Sequence, residues 1–221
     1  MRATPADPSR PVWSRRQVLR AAVAASALGF GVASAAEALR ATPANALGPF
    51  YPARKPADSD ADLTLVSGHA QRASGTILYV SGRVLGLDGR PLPNAELELW
   101  QANAAGRYDH PGDRDSSGPL DPNFQGYARL VTDADGRYRI KTIKPAPYSG
   151  RTAHLHFNVA SGRTRLTTQM FFEGEAANER DGLFRSLSRE DRVASTARPA
   201  DRGAGMEQDA IVNVWDIVLP A

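Results

Sequence analysis

Beyond residue 75 the chain consists of short runs in which apolar and polar side chains alternate, each closed by a turn rich in Gly, Asp or Pro. Thr76 to Val84 alternates and stops at Leu87-Asp88-Gly89-Arg90, a hairpin signal. Pro91 to Trp100 follows, with Ala95, Leu97 and Leu99 on one face and Glu96, Glu98 and Trp100 on the other. Tyr127 to Val131 and Tyr138 to Ile143 flank Asp133-Ala134-Asp135-Gly136 and read as a second hairpin. Ala153 to Val159, Thr167 to Phe172 and the stretch Ile211 to Leu219 supply the remaining strands. The pattern predicts an all-β fold, an antiparallel β-sandwich of roughly seven or eight strands with long loops and little helix. Residues 173–208 are polar and read as a long excursion with a short helix near Leu183 to Leu187.

The first 75 residues lack this alternation. Residues 1–35 read as an export signal that is cleaved: Ser14-Arg15-Arg16-Gln17-Val18-Leu19 is a twin-arginine pattern, followed by an Ala-rich stretch and the small-residue site Ala33-Ser34-Ala35. The apolar stretch is too short and too weakly hydrophobic for a stable membrane span, so the expectation is a periplasmic or extracellular protein. Residues 36–75 read as an arm that packs on the body formed by residues 76–221. The adjacent aromatics Phe50-Tyr51 have no use in a free linker. Residues 53–74 read as a surface loop, and the spacing of Asp58, Asp60 and Asp62 is too loose to imply calcium.

Charge and cysteine content narrow the chemistry. The formal charge is +3, but residues 1–35 carry five Arg against one Asp, which leaves 22 basic and 23 acidic residues in the remainder. That balance gives no electrostatic case for nucleic acid. Cys is absent, so disulfides and thiolate metal sites are excluded and any metal must be held by N and O donors. Two of the four histidines, His154 and His156, are one residue apart. In a strand they share a face, which lets two imidazoles reach one ion, but a pair of hydrogen-bonded strand histidines fits that spacing equally well.

Ordered blocks around that pair carry a resemblance. They are Leu99-Trp100-Gln101-Ala102-Asn103-Ala104-Ala105-Gly106-Arg107-Tyr108, Pro119-Leu120-Asp121-Pro122-Asn123-Phe124, Thr132-Asp133-Ala134-Asp135-Gly136-Arg137-Tyr138, Thr142-Ile143-Lys144-Pro145-Ala146-Pro147-Tyr148, Arg151 with His154-Leu155-His156-Phe157, and Thr168-Gln169-Met170-Phe171-Phe172-Glu173-Gly174. Together they resemble the intradiol ring-cleavage dioxygenases. The resemblance implies a non-haem Fe(III) centre held by Tyr108, Tyr148, His154 and His156, with Arg151 stabilising negative charge on the bound diol and Gln169 beside the site. By the same resemblance Tyr148 also takes part in proton transfer, and Gly48 and Pro49 wall the substrate pocket. The partners implied are a small catechol-type diol and O2, and the product a cis,cis-muconate-type diacid. Relatives assemble with a second subunit or with themselves, which leaves a homo-oligomer open. The donor set is chemically consistent, since phenolate is a hard anionic oxygen ligand suited to a trivalent ion.

Two departures bear on substrate. Only Ser149 and Gly150 separate Tyr148 from Arg151, a shorter loop than in well-studied members, and Thr152 stands where the common pattern has Pro. The shorter loop removes side chains that would wall the pocket, so substrate identity does not carry over. A non-catalytic, transthyretin-like β-sandwich binding module is the alternative from another class: Val80 to Val84 and Asp88 to Ala95 resemble its opening strands. A zinc or copper enzyme built on the His pair is a third reading, opposed by the lack of a third His or a carboxylate in the motif.

Overall fold

The computed structural model describes residues 39–114 and 116–220; the twin-arginine pattern and its cleavage site lie outside the described residues. Among the described residues nine strands form in chain order: β1 (Ile77–Leu85), β2 (Glu96–Trp100), β3 (Tyr127–Val131), β4 (Arg137–Ile143), β5 (His154–Ser161), β6 (Thr164–Phe172), β7 (Thr196–Pro199), β8 (Ile211–Val214) and β9 (Ile217–Val218). Their order is β3-β2-β5-β6-β7-β8-β1-β4, with β9 on β1. The first four make one layer, and β8, β1 and β4 fold over to make the other. Inward residues of both layers meet in one buried cluster: Leu97 and Leu99 from β2, Leu155 and Phe157 from β5, Met170 from β6, Leu78 and Val80 from β1, and Tyr138 and Ile140 from β4. Each such large apolar side chain contributes about 1.5–3 kcal/mol on leaving water, which locks every strand's register.

Most pairings are antiparallel, as the hairpin signals require, but β1 pairs in parallel with β8 and β9, and β6 with β7. The predicted run from Ile211 to Leu219 is two strands. It breaks at Trp215-Asp216, where the Asp216 carboxylate takes the Arg83 N–H at 2.8 Å in place of a ladder bond. The excursion after residue 173 contains the expected short helix, α1 (Gly182–Ser186), and also a 3-10 turn (Ala176–Arg180), a second helix α2 (Arg189–Ala194) and strand β7. Alternation cannot reveal β7: it is four residues long with a single buried side chain. Among the described residues no helix is long and apolar enough to cross a membrane.

The N-terminal segment is fastened strand by strand. Thr42 exchanges bonds with Val218 at 2.9 Å, the Asn45 N–H donates to the Thr167 carbonyl at 2.9 Å, and the Thr168 hydroxyl donates to the Pro43 carbonyl at 2.9 Å. Residues 53–74 are less superficial than a surface loop, because Leu63 and Thr64 are fully buried and the Leu63 N–H donates to the Lys141 carbonyl at 2.8 Å. Asp58, Asp60 and Asp62 spend their carboxylates on backbone N–H groups of that loop, which accounts for their spacing without an ion.

Candidate metal centre

The layer β3-β2-β5-β6 has an outer face, and its register places Trp100 of β2 opposite His156 of β5, and His156 opposite Gln169 of β6. Directly opposed residues point the same way, so these three form one row across the sheet. Leu155 and Phe157 point inward and fix β5, which aims His154 and His156 outward at a common point. The His156 ring stacks on Trp100 at 4.9 Å with planes 12° apart. The arm then covers the row. Phe50 packs on Tyr108 at 4.8 Å and Tyr51 edge-on against Trp100 at 5.0 Å, so this end of the outer face, around Trp100, Tyr108 and Tyr127, is buried.

Two loops bring the tyrosines. Tyr108 follows β2 in a turn organised by Asn103, whose side-chain oxygen accepts the Ala105 and Arg107 N–H groups at 2.9 and 3.0 Å. The buried Asp113 takes the Tyr108 N–H at 2.8 Å. Between them Gly106 permits the close approach of the second loop: a Cβ there would lie 2.7 Å from the Pro147 carbonyl oxygen and 3.3 Å from Tyr148 Cβ. Tyr148 and Arg151 face each other across a two-residue hairpin turn in which Ser149 and Gly150 both have positive φ, 42° and 75°. That is the geometry of a type I′ turn, and it supplies the bend that swings Arg151 toward the tyrosine and histidines.

The four groups converge. The Tyr148 hydroxyl lies 3.4 Å from the Tyr108 hydroxyl and 3.4 Å from His154 Nε2, and His154 Nε2 lies 3.2 Å from His156 Nε2. His154 Nδ1 is 2.6 Å from the Thr152 carbonyl, which fixes Nδ1 as the protonated nitrogen and leaves Nε2 as a bare lone pair aimed at its neighbours. Tyr108, His154 and His156 are buried and Tyr148 is half-buried. Burial, and then the facing Tyr148, push the Tyr108 phenol well above its usual range; burial also raises Tyr148. Burial and the Arg151 charge lower His154 to about 4, and burial, His154 and Arg151 hold His156 well below the ordinary imidazole range.

Four neutral donors thus crowd into a dry site with more lone pairs than protons to share, and His156 Nδ1 has no partner among the described residues. Such a set fits a cation that displaces the phenolic protons, so these residues suit the metal that the resemblance implies. Among the described residues there is no cluster of three or more His, Cys, Asp or Glu side chains that could hold a metal, which leaves the zinc or copper reading without a third His or carboxylate ligand.

Arg151 is held on two sides. Its Nε donates to the Asp181 carboxylate at 2.8 Å and a terminal nitrogen to the Gln169 side-chain oxygen at 2.6 Å, while the Gln169 amide donates to the Ala46 carbonyl at 3.0 Å. The backbone at Gly48 meets the edge of His156, where a Cβ would lie 3.0 Å from Cε1. Pro49 is exposed. Sequence reasoning missed Asp181 and the stacking role of Trp100. Asp181 was legible only as an N-cap before a short helix, and nothing local ties it to an arginine 30 residues upstream.

Two phenols and two imidazoles converging on one point of a β-sandwich define a candidate metalloprotein with N and O ligands. Residues 46–221 match the family model described as a dioxygenase, and the chain belongs to that family. It is 42% identical over 145 residues to the protocatechuate 3,4-dioxygenase beta chain of Burkholderia cepacia, covering 62% of this chain and 61% of that one. It is 32% identical over 185 residues to a catechol 1,2-dioxygenase of Acinetobacter baylyi, covering 73% and 55%. The chain therefore spans 55–61% of the length of these relatives. The solved dioxygenase domain of a dioxygenase carbohydrate-binding protein fusion from Streptomyces sp. SirexAA-E superposes with a TM-score of 0.63 at 31% identity, over 82% of this chain and 99% of that chain. Intradiol dioxygenases are generally dependent on non-haem iron.

Proposed function

We propose that this protein is a non-haem Fe(III) intradiol dioxygenase that cleaves a catechol-type diol between its hydroxylated carbons, adding both atoms of O2 to give a cis,cis-muconate-type diacid. The observation that carries this reading is the convergence of the Tyr108 and Tyr148 hydroxyls with the His154 and His156 Nε2 atoms, each within 3.4 Å of the next. A non-catalytic sandwich module has no use for two phenols and two imidazoles turned toward one another on the outer face of a sheet, with His156 Nδ1 left unpaired among the described residues.

Tyr108, Tyr148, His154 and His156 would hold the ion, which supplies Lewis acidity and a template for the diol and activates its ring toward O2. Two phenolates offset two of its three charges and favour the ferric state. Tyr148, the least enclosed of the four, is placed to accept a proton from the diol, and its phenolate would take up the proton that a diol hydroxyl releases. Arg151 presents fixed positive charge where the ring becomes electron-rich, with no reorganisation needed at the moment of reaction. Gln169 holds that guanidinium from the other side and ties it to the arm. Gly48 and Pro49 wall the approach. The two-residue turn at Ser149-Gly150 contributes no bulky side chain there, and the reading extends to diols larger than catechol. The twin-arginine pattern at Ser14 to Leu19 supports export, and with it a periplasmic or extracellular site of action.

The test is optical and analytical. Iron-loaded protein is expected to be burgundy from tyrosinate-to-iron charge transfer, with the band weakened in Tyr108→Phe. Arg151→Ala should keep iron and colour and lose most oxygen uptake with diols. Colourless protein at full iron occupancy would sink the tyrosinate assignment.

A further inference from the structure

Arg151 is an arginine on a two-residue turn, and on an ordinary surface such a side chain roams. Here it does not. The carboxylate that holds it belongs to Asp181, whose side chain is fully buried. All of Asp181's acceptor positions are in use. Oδ2 takes the Arg151 Nε–H at 2.8 Å and the Thr152 N–H at 2.9 Å; Oδ1 takes the Leu183 and Phe184 N–H groups at 2.9 and 3.0 Å, capping α1. The carboxylate cannot rotate without abandoning two bonds, so its orientation, and the direction in which it pulls Arg151, is fixed by a helix outside the sheet. The same Thr152 offers its carbonyl to His154 Nδ1 at 2.6 Å. The carboxylate meets only the N–H side of Thr152, so its direct hold on the centre runs through Arg151. A buried ion pair stabilises little by itself, because desolvation offsets the attraction. A pair saturated on every side in this way points to geometry as its use.

We propose that Asp181 is a positioning residue for the dioxygenase reaction. It holds the Arg151 guanidinium at the face of the centre, so that its charge is in place before the diol arrives. This rests on the proposed role of Arg151. Gln169 steadies one terminal nitrogen, and Asp181 fixes the Nε edge, which sets the plane of the group.

The test uses the full chain. Asp181→Asn places an amide N–H against donors and is expected to lower kcat about 10- to 100-fold, the scale of a misplaced catalytic group, with iron content and the charge-transfer band kept. In an Arg151→Ala background the same substitution should change kcat less than about twofold, because a residue that acts through Arg151 has nothing left to act on. A readout independent of turnover is the Arg151 Nε–H resonance of metal-free wild-type protein: it should be shifted downfield and exchange slowly, and it needs no variant to fold. An Nε–H exchanging at the rate of a free arginine overturns the inference. So does wild-type kcat in Asp181→Asn, or an equal loss in both backgrounds, which would mark Asp181 as part of the fold alone. Wild-type turnover in Arg151→Ala is a different failure, since it removes the catalytic reading of Arg151 itself.

Discussion

Gly48→Ala is expected to damage the centre from a position that bonds to nothing in it. Gly48 has φ +78°, so an alanine pays for the left-handed backbone, about 1–2 kcal/mol. The new methyl would stand 3.0 Å from His156 Cε1 and 3.7 and 3.8 Å from its two nitrogens, an approach onto the ring edge that must be relieved by a few tenths of an ångström. His156 has little room to give: it is 1% exposed and stacked on the fully buried Trp100. Turning the ring off its rotamer adds about 0.5–1.5 kcal/mol. The sum, about 1.5–3.5 kcal/mol, corresponds to a Tm lower by roughly 3–14 °C for a domain of this size. Displacing Nε2 should also weaken iron about 10-fold, the lower end for disturbing a metal ligand's support. Gly150→Ala is the control, because its φ of +75° carries the same backbone strain while its Cβ would meet nothing within 4 Å. Melting curves of the metal-free variants and iron competition against a chelator separate the two terms. If Gly48→Ala and Gly150→Ala melt together and hold iron equally, the contact with His156 is without consequence and the reasoning is wrong.

Glu98 accepts hydrogen bonds from Tyr51 and Tyr127 at 2.8 Å, Asn158 at 3.2 Å and Lys55. Burial alone would raise its pKa, but these donors outweigh it and hold the carboxyl at about 2. Because the folded value is depressed, Glu98 stabilises fully above the unfolded carboxyl pKa of about 4.3 and progressively less as pH falls toward 2. Glu98→Gln should therefore lie below wild type at pH 6 and approach it as pH falls to 3; thermal melts that stay parallel across that interval would count against the ionic role. Tyr138→Phe removes a buried hydroxyl that donates to the Trp215 carbonyl at 2.7 Å. The orphaned carbonyl costs about 1–3 kcal/mol, read as a drop in denaturation midpoint, while iron content and kcat stay at wild type because β4 lies in the other layer.

Alternation along the strands was enough to define an all-β chain, because each run places one set of side chains in a shared core and a slip of one residue would turn that set to water. The spacing of His154 and His156 likewise fixed their common face. What alternation could not reveal were elements whose stability is not local: β7, four residues with a single buried side chain held by neighbours on both sides, and the parallel pairings that join chain segments far apart in sequence. Leu63 shows the same limit, since its polar surroundings read as a surface loop although the side chain sits in the core.

The sequence by itself determined which donors were available, two phenols and two imidazoles with no thiol to compete, and it determined the strand that aims the histidines. Only the tertiary structure decided that they meet. Tyr108 reaches the cluster because Gly106 lets two loops touch, Arg151 because a turn with two positive φ angles reverses its strand, and its partner Asp181 because a helix 30 residues on packs beside it. Bonding reach between side chains on separate loops is set by how the layers pack, and packing depends on all the contacts at once, which no local stretch of residues records.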